Sequence, residues 1–282
     1  MYENLVFKGG GVLGMAYAGA LEVLEQENIL ANIKRIAGTS AGAITALALC
    51  IGYDYKDMKL LMQSTDFKKF QDETNYLKIT HDYGLYKGNF LLTWIKEIIR
   101  VKNIDAELSF KDLHEMDTYE LKVFATNINT TNFQEFSFNK TPDVKIAEAV
   151  RASMSIPFFF NAWQFPNGEF NKHIFIDGGV LNNYPIFAFE NLEKTLGLYI
   201  NTEDKDDDLE FNEITKFIKR LFKAVVKGQD VEVFRTQKIK DQTIFLDNLQ
   251  ISTTHFEITD EEKEDLYTSA KEMVTNFLKN KH

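Results

Sequence analysis

A single cysteine among 282 residues leaves this chain without an internal disulfide and fits a reducing compartment. That residue, Cys50, sits in the apolar stretch AITALALCI, where a buried structural thiol is expected. Prolines number only four and no Ser/Gly-rich tract occurs, which argues against a flexible linker. No internal repeat is present. Long apolar runs are missing too: AITALALCI reaches about half of the roughly 20 residues a bilayer span needs. Positive charge is in short supply, with 32 Lys and Arg against 42 Asp and Glu and a net charge of −10. General affinity for nucleic acid is therefore not expected. Histidine is scarce, and the five present (His81, His114, His173, His255 and His282) contain no pair with metal-ligand spacing. No metal site and no cofactor is expected.

What is present is an alternation of apolar runs with helical, 3.6-spaced patterns through the first two thirds of the chain. Residues 5–7 read as a strand, followed by a glycine loop and a helix over 13–26. Residues 33–37 read as a second strand, then a tight turn and an alanine-rich helix through Ile51. Residues 54–118 look helical and irregular, with a loop over 74–90. Residues 121–128 and 133–138 alternate like the two strands of a hairpin. A helix over 145–154 ends before Pro157, and short strands follow at 173–176 and 196–201. The pattern predicts an α/β fold with a largely parallel central sheet and C-terminal helices packed on it.

Two chemistries want glycine at GGGVLG, residues 9–14. Read as G-x-G-x-x-G (Gly9, Gly11, Gly14), the loop suits a dinucleotide pyrophosphate. Read as a run of exposed N–H groups, it suits the oxyanion of an ester under attack. The dinucleotide reading needs an acidic residue about 20 positions on, at the end of the second strand. That strand ends in Ala37-Gly38 with no Asp or Glu, and Arg35 lies inside it. It runs instead into Gly38-Thr39-Ser40-Ala41-Gly42, a G-x-S-x-G pentapeptide between strand and helix. This is the pattern of a nucleophile elbow, in which flanking Gly38 and Gly42 make room for a strained serine. The plainer alternative is a Gly/Ser turn capping the helix.

A serine needs a base. Ser40, Asp177 and His255 follow the chain order of a Ser–Asp–His triad, although Ser40 comes after only the second strand. His255 stands just before a capped helix starting near Thr259, which suits a surface or capping role; His81, His114 and His173 read as structural. Asp177, in IFIDGGVLNNYP, ends a hydrophobic strand at a glycine pair. Burial would raise its pKa toward the range of a working base. It could equally form an Asx turn with Gly178.

Taken together, four segments resemble the patatin-like phospholipase family: Gly9 to Gly14, the elbow Gly38 to Gly42, Ala152 to Phe159, and Asp177-Gly178-Gly179 with Asn183 and Pro185 downstream. They occur in the family's order across residues 5–200. The resemblance implies a three-layer α/β/α fold, a Ser–Asp dyad without histidine, an acyl-enzyme intermediate and calcium-independent hydrolysis of phospholipid or other acyl-lipid esters. Carried onto this chain, Ser40 resembles the nucleophile, Asp177 the general base and the Gly9, Gly10, Gly11 loop the oxyanion hole. Leu13 departs from the pattern, since family members often carry Arg or Lys there.

The chain divides by pattern into a catalytic core over 1–205 and a mainly helical extension over 206–282, with the acidic turn EDKDDD at 203–208 between them. Phe158, Phe159, Phe160, Trp163 and Phe165 could line an acyl channel or pack in the core. Over 212–229, Ile214, Phe217, Ile218, Leu221, Phe222, Val225 and Val226 share one helical face among five basic residues. That helix could rest on an anionic bilayer or bury its face. Without a recognisable signal segment, a cytoplasmic enzyme is expected, peripherally membrane-associated or delivered as an effector. The rival readings are a Ser–His–Asp esterase using His255 and a catalytically silent lipid- or partner-binding scaffold.

Overall fold

Asn4–Phe7 (β1) is buried along its whole length, as a parallel strand covered on both faces must be. It is central to the main sheet of the computed structural model, which describes residues 1–73, 82–202 and 214–281. Arg35–Thr39 (β2) and Thr195–Ile200 (β8) flank β1, both parallel to it. Glu120–Asn127 (β4) lies parallel to β2, and Thr243–Leu246 (β9) parallel to β8. The order is β5-β4-β2-β1-β8-β9, where Asn132–Ser137 (β5) is the expected antiparallel hairpin partner of β4. Phe175–Asp177 (β7) also pairs antiparallel with β4, Ala125 opposite Asp177.

Helices cover the sheet. Met15–Gln26 (α1), Ala41–Cys50 (α2) and Ile146–Ser153 (α6) contribute to the larger core with Leu5, Phe7 and Leu198. Between α2 and α6 come Tyr55–Ser64 (α3), Asn89–Val101 (α4) and Phe110–Glu115 (α5). On the opposite face Val6, Ala37, Phe124 and Tyr199 form a smaller cluster with Tyr184 and Ile186. Val233, at the end of Ile214–Val233 (α7), and Ile239, in Gln237–Asp241 (α8), pack there too. The expected mostly parallel α/β arrangement is the fold observed.

Two departures matter. Gly84–Tyr86 (β3), within the stretch read as a loop, pairs in parallel with Phe158–Phe160 (β6) as a separate two-stranded sheet. The segment read as mainly helical adds β9 to the central sheet before ending in Asp260–Lys279 (α9). Its Tyr267 carbonyl packs where a Cβ on Gly19 would stand, so that glycine lets α9 lie against α1. Cys50 is buried, and burial raises its thiol pKa above the ordinary range. His81, His282 and the acidic turn at 203–208, with the boundary drawn at 205, lie outside the described residues.

Candidate active site

The turn from β2 into α2 holds Ser40 at φ 52°, ψ −122°, a left-handed conformation that costs a non-glycine residue about 1–3 kcal/mol. The flanking glycines make the turn sterically possible. A Cβ on Gly38 would collide with the Gly42 carbonyl, and one on Gly42 would lie 2.5 Å from the Phe7 oxygen. The backbone N–H of Ser40 donates to Ser153 Oγ at 2.8 Å, and that hydroxyl donates to the Phe124 carbonyl at 2.5 Å. Thr39 Oγ1 donates to the Asn182 carbonyl at 2.8 Å, tying the elbow to the loop after β7.

Asp177 is the last residue of β7 and is 1% exposed. Ser40 Oγ donates to its Oδ2 at 2.7 Å, and the Gly179 N–H donates to Oδ1 at 2.7 Å. Its own N–H donates to the Ser155 carbonyl at 2.8 Å, and Thr126 Oγ1 donates to its carbonyl at 3.0 Å. Burial pushes the Asp177 carboxyl up to about 7, against the smaller pull of the hydrogen bonds from Gly179 and Ser40. The local Asx-type bond and the contact with Ser40 therefore coexist, one on each carboxylate oxygen.

The glycine loop is shaped from both sides. Gly9 spends its N–H on the Asn183 carbonyl at 3.0 Å, so its expected place among the open donors is not what the structure shows. Gly10 and Gly11 donate to no acceptor among the described residues. Gly11 sits at φ 56°, and a Cβ there would overlap the Thr253 carbonyl, which also accepts the Val12 N–H at 3.0 Å. Leu13, where family members often carry Arg or Lys, is fully buried in the main core, a place that suits an apolar side chain. The site's N-terminal helix end belongs to α2, whose dipole favours negative charge nearby.

Beside Ser40 lies a narrow apolar cavity of about 30 Å³, lined by Met62, Phe67, Phe70, Phe160 and Phe256 among others. Of the five aromatics that could line a channel or pack in the core, only Phe160 lines this cavity. Phe159 stacks on Phe256 with centroids 4.8 Å apart, while Trp163 and Phe165 pack with each other and Phe175 beneath them. Phe158 is half exposed. The periodicity of a three-residue strand could not assign these sides, and the cavity's other walls come from the glycine loop, α2, α3 with the turn after it, α4, the segment just after α6 and Phe256.

No histidine stands between Ser40 and Asp177, because their side chains touch directly. His255 Nε2 faces Glu262 Oε2 at 3.6 Å, and the capping box of Thr259 and Glu262 opens α9 just beyond it. His114 stacks on Phe138, and His173 Nδ1 meets Asn127 Nδ2 at 2.8 Å. Among the described residues no group of three or more His, Cys, Asp or Glu is arranged to hold a metal.

Three supporting residues had no assigned role in the sequence. Arg151 is fully buried and donates to Ser155 Oγ at 2.5 Å and to the carbonyls of Gly88, Lys87 and Asn161. Desolvation brings its guanidinium down to about 10. Lys8, before the glycine loop, is also buried; Nζ donates to the Ile200 carbonyl at 2.9 Å and lies over Tyr199. Gln229, on α7, accepts the Asn183 N–H and donates to the carbonyls of Gly179 and Val180. An arginine between valine and alanine in a predicted helix was the one local signal available.

Architecture and relatives together identify an α/β enzyme that hydrolyses lipid esters. The chain belongs to the patatin-like phospholipase family, whose model matches residues 5–190. The uncharacterized protein YqhO of Bacillus subtilis (strain 168) is 30% identical, over 99% of each chain. The probable lipid hydrolase 463L of Invertebrate iridescent virus 6 is 29% identical over 66% of this chain and 62% of its own. Among solved structures, VipD from Legionella pneumophila superposes with a TM-score of 0.73 at 18% identity, covering 99% of this chain and 67% of that one. That likeness concerns the fold.

Proposed function

We propose that this protein is a phospholipase A or lysophospholipase type of acyl hydrolase working through a Ser40–Asp177 dyad. The observation that carries the reading is the 2.7 Å hydrogen bond from Ser40 Oγ to a buried carboxylate. A carboxyl near 7 is a base of useful strength at neutral pH, where an ordinary aspartate would be too weak. In acylation, Oγ attacks the ester carbonyl carbon as its proton passes to Asp177. The carbonyl oxygen gathers charge opposite the open N–H groups of Gly10 and Gly11. Collapse breaks the bond to the alcohol, which leaves with the proton from Asp177. Water then repeats the sequence on the acyl-enzyme.

The apolar cavity supports an acyl chain as the group held beside Ser40. At about 30 Å³ it has the room of about one or two waters, so flexible side chains such as Met62 must shift to admit a chain. The face of α7 supports contact with a lipid surface. Val226 is buried, whereas Phe217, Leu221 and Val225, spaced by four, are 51%, 51% and 39% exposed. Arg220, Lys223 and Lys227 lie on the same helix.

Labelling by a fluorophosphonate together with fatty acid release from phospholipid vesicles tests the dyad. Ser40→Ala should lose both, Asp177→Asn should lose nearly all hydrolysis, and His255→Ala should keep it. Activity lost in His255→Ala but kept in Asp177→Asn would replace the dyad with a histidine triad. No labelling of the wild-type chain would favour a lipid-binding scaffold.

A further inference from the structure

Asn183 is 5% exposed, and both of its main-chain groups are engaged. Its N–H donates to Gln229 Oε1 at 2.9 Å, and its carbonyl accepts the Gly9 N–H. Its carboxamide, by contrast, makes no hydrogen bond to any described residue. Neither polar atom is sealed off: among the described residues, the fully buried side-chain atoms lacking a partner belong to Trp163 and Gln242. The amide thus faces an opening with its hydrogen-bonding capacity unspent. Atoms with that access, and no partner among the described residues, are open to a hydrogen bond from a molecule as small as water.

The position of that opening follows from two glycines. A Cβ on Gly9 would overlap Asn183 Oδ1 on one side and lie 3.4 Å from Ser40 Cβ on the other. A Cβ on Gly179 would lie 2.9 Å from Asn183 Oδ1 and 2.9 Å from Asp177 Oδ1. The carboxamide therefore fills the space that the missing side chains leave, between the glycine loop and the Asp177 turn. It is not part of the wall of the apolar cavity. Gln229 clamps both sides of this space, since its Nε2 also donates to Gly179 O at 2.8 Å and Val180 O at 2.9 Å.

We propose that the Asn183 carboxamide is a third catalytic group, which holds the water that hydrolyses the acyl-enzyme, with Gln229 positioning it. The inference rests on the dyad reading above. Acylation of Oγ removes the hydroxyl that occupied Asp177 Oδ2 and frees that oxygen. Water then gives one hydrogen to Asp177 Oδ2 and the other to Asn183 Oδ1, so that a lone pair points at the acyl carbonyl carbon. As the new C–O bond forms, the first proton passes to Asp177 and the carbonyl electron pair moves to the oxyanion. Collapse breaks the C–Oγ bond, and Oγ recovers the proton from Asp177. The second hydrogen stays on the product carboxylic acid until it ionises.

The test is turnover of p-nitrophenyl butyrate with acid quenching and intact-mass measurement of acyl-enzyme. Asn183→Ala should lower steady-state turnover by about tenfold or more, the worth of one hydrogen bond to a charged centre. The acyl-enzyme fraction should rise at the same time, while the rate of fluorophosphonate labelling stays near wild type. Asn183→Asp keeps the shape and the acceptor; it should retain more turnover than the alanine variant, with the acid limb of its pH profile moved upward by the second carboxylate. Unchanged turnover in Asn183→Ala, or a fall without acyl-enzyme accumulation, overturns the proposal. Should Asn183→Ala fail to fold, a wild-type pH profile in Asn183→Asp overturns it instead. Failure of the dyad itself reads differently, as activity that survives Ser40→Ala.

Discussion

The hydroxyl of Ser153 sits between two main chains, accepting the N–H of Ser40 at 2.8 Å and donating to the Phe124 carbonyl at 2.5 Å. Ser153 ends α6, Ser40 opens α2 and Phe124 belongs to β4, so one small side chain joins three elements around the strained elbow. Strain at a single residue persists only where its surroundings over-determine it. This bridge is one of the constraints that does so.

Ser153→Ala should therefore leave a buried N–H and a buried carbonyl without this partner. The expected loss is about 1–3 kcal/mol in urea unfolding, with esterase activity falling further than stability because Ser40 loses its aim. Equal wild-type activity in a stable variant would remove the bridge from the account.

The Asp177 carboxyl, held up to about 7 by burial, sets two pH dependences. As the proposed base it works when ionised, so kcat/KM should rise with pH through an acid limb near 7. Its effect on stability runs the other way. A carboxyl raised in the folded state adds stability fully below its unfolded value near 3.8, and that contribution is lost as pH rises through about 7. Asp177→Asn, inactive, should gain stability over wild type at alkaline pH and lose that advantage in acid. Urea midpoints at several pH values check the sign.

The glycines of the two loops should separate by consequence. In Gly38→Ala the new Cβ meets backbone, the Gly42 carbonyl, and the expected outcome is a loss of several kcal/mol or no folded protein, about the upper range for single changes. In Gly10→Ala the Cβ lies 2.9 Å from Ile200 Cδ1, the far end of a side chain that can turn. That variant should fold, while ester hydrolysis drops by about tenfold or more as the oxyanion donors shift. Circular dichroism melting alongside fluorophosphonate labelling distinguishes the two.

The exposed face of α7 predicts a change in partitioning without a change in folding. Replacing Phe217 and Leu221 with serine removes two side chains that are each 51% exposed. If a lipid surface covers them, co-sedimentation of the Ser40→Ala protein with anionic vesicles should weaken by about tenfold or more, given about 1.5–3 kcal/mol per fully buried large side chain. The melting temperature should hold. Unaltered sedimentation would assign the face to something other than lipid.

Much of the architecture was legible because it depends on neighbours in the chain. The hairpin of β4 and β5 shows its alternation over six and more residues, and α9 announces itself by the Thr259–Glu262 capping box. β3 and β9 were missed because three or four residues carry too little periodicity, and their pairing is with strands far away in sequence. The aromatic run 158–165 left channel and core open for a related reason: only Trp163 bridging to Phe175 turns the segment into the core after Phe160.

The division follows the range of the forces. Local sterics are written in the chain, so Gly38, Ser40, Gly42 and Gly11 mark a tight elbow and a close-approaching loop by residue type and spacing alone. Partnership is not local. Ser40 and Asp177 stand 137 residues apart, and only the pairing of β7 with β4 beside β2 brings hydroxyl to carboxylate and leaves His255 with Glu262. The tertiary fold also spent the Gly9 N–H on Asn183, buried Leu13 in the core and seated Gln229 of α7 across both loops. A hydrogen bond needs its two atoms within about 3 Å, and that condition is met by packing the whole sheet rather than by any stretch of sequence.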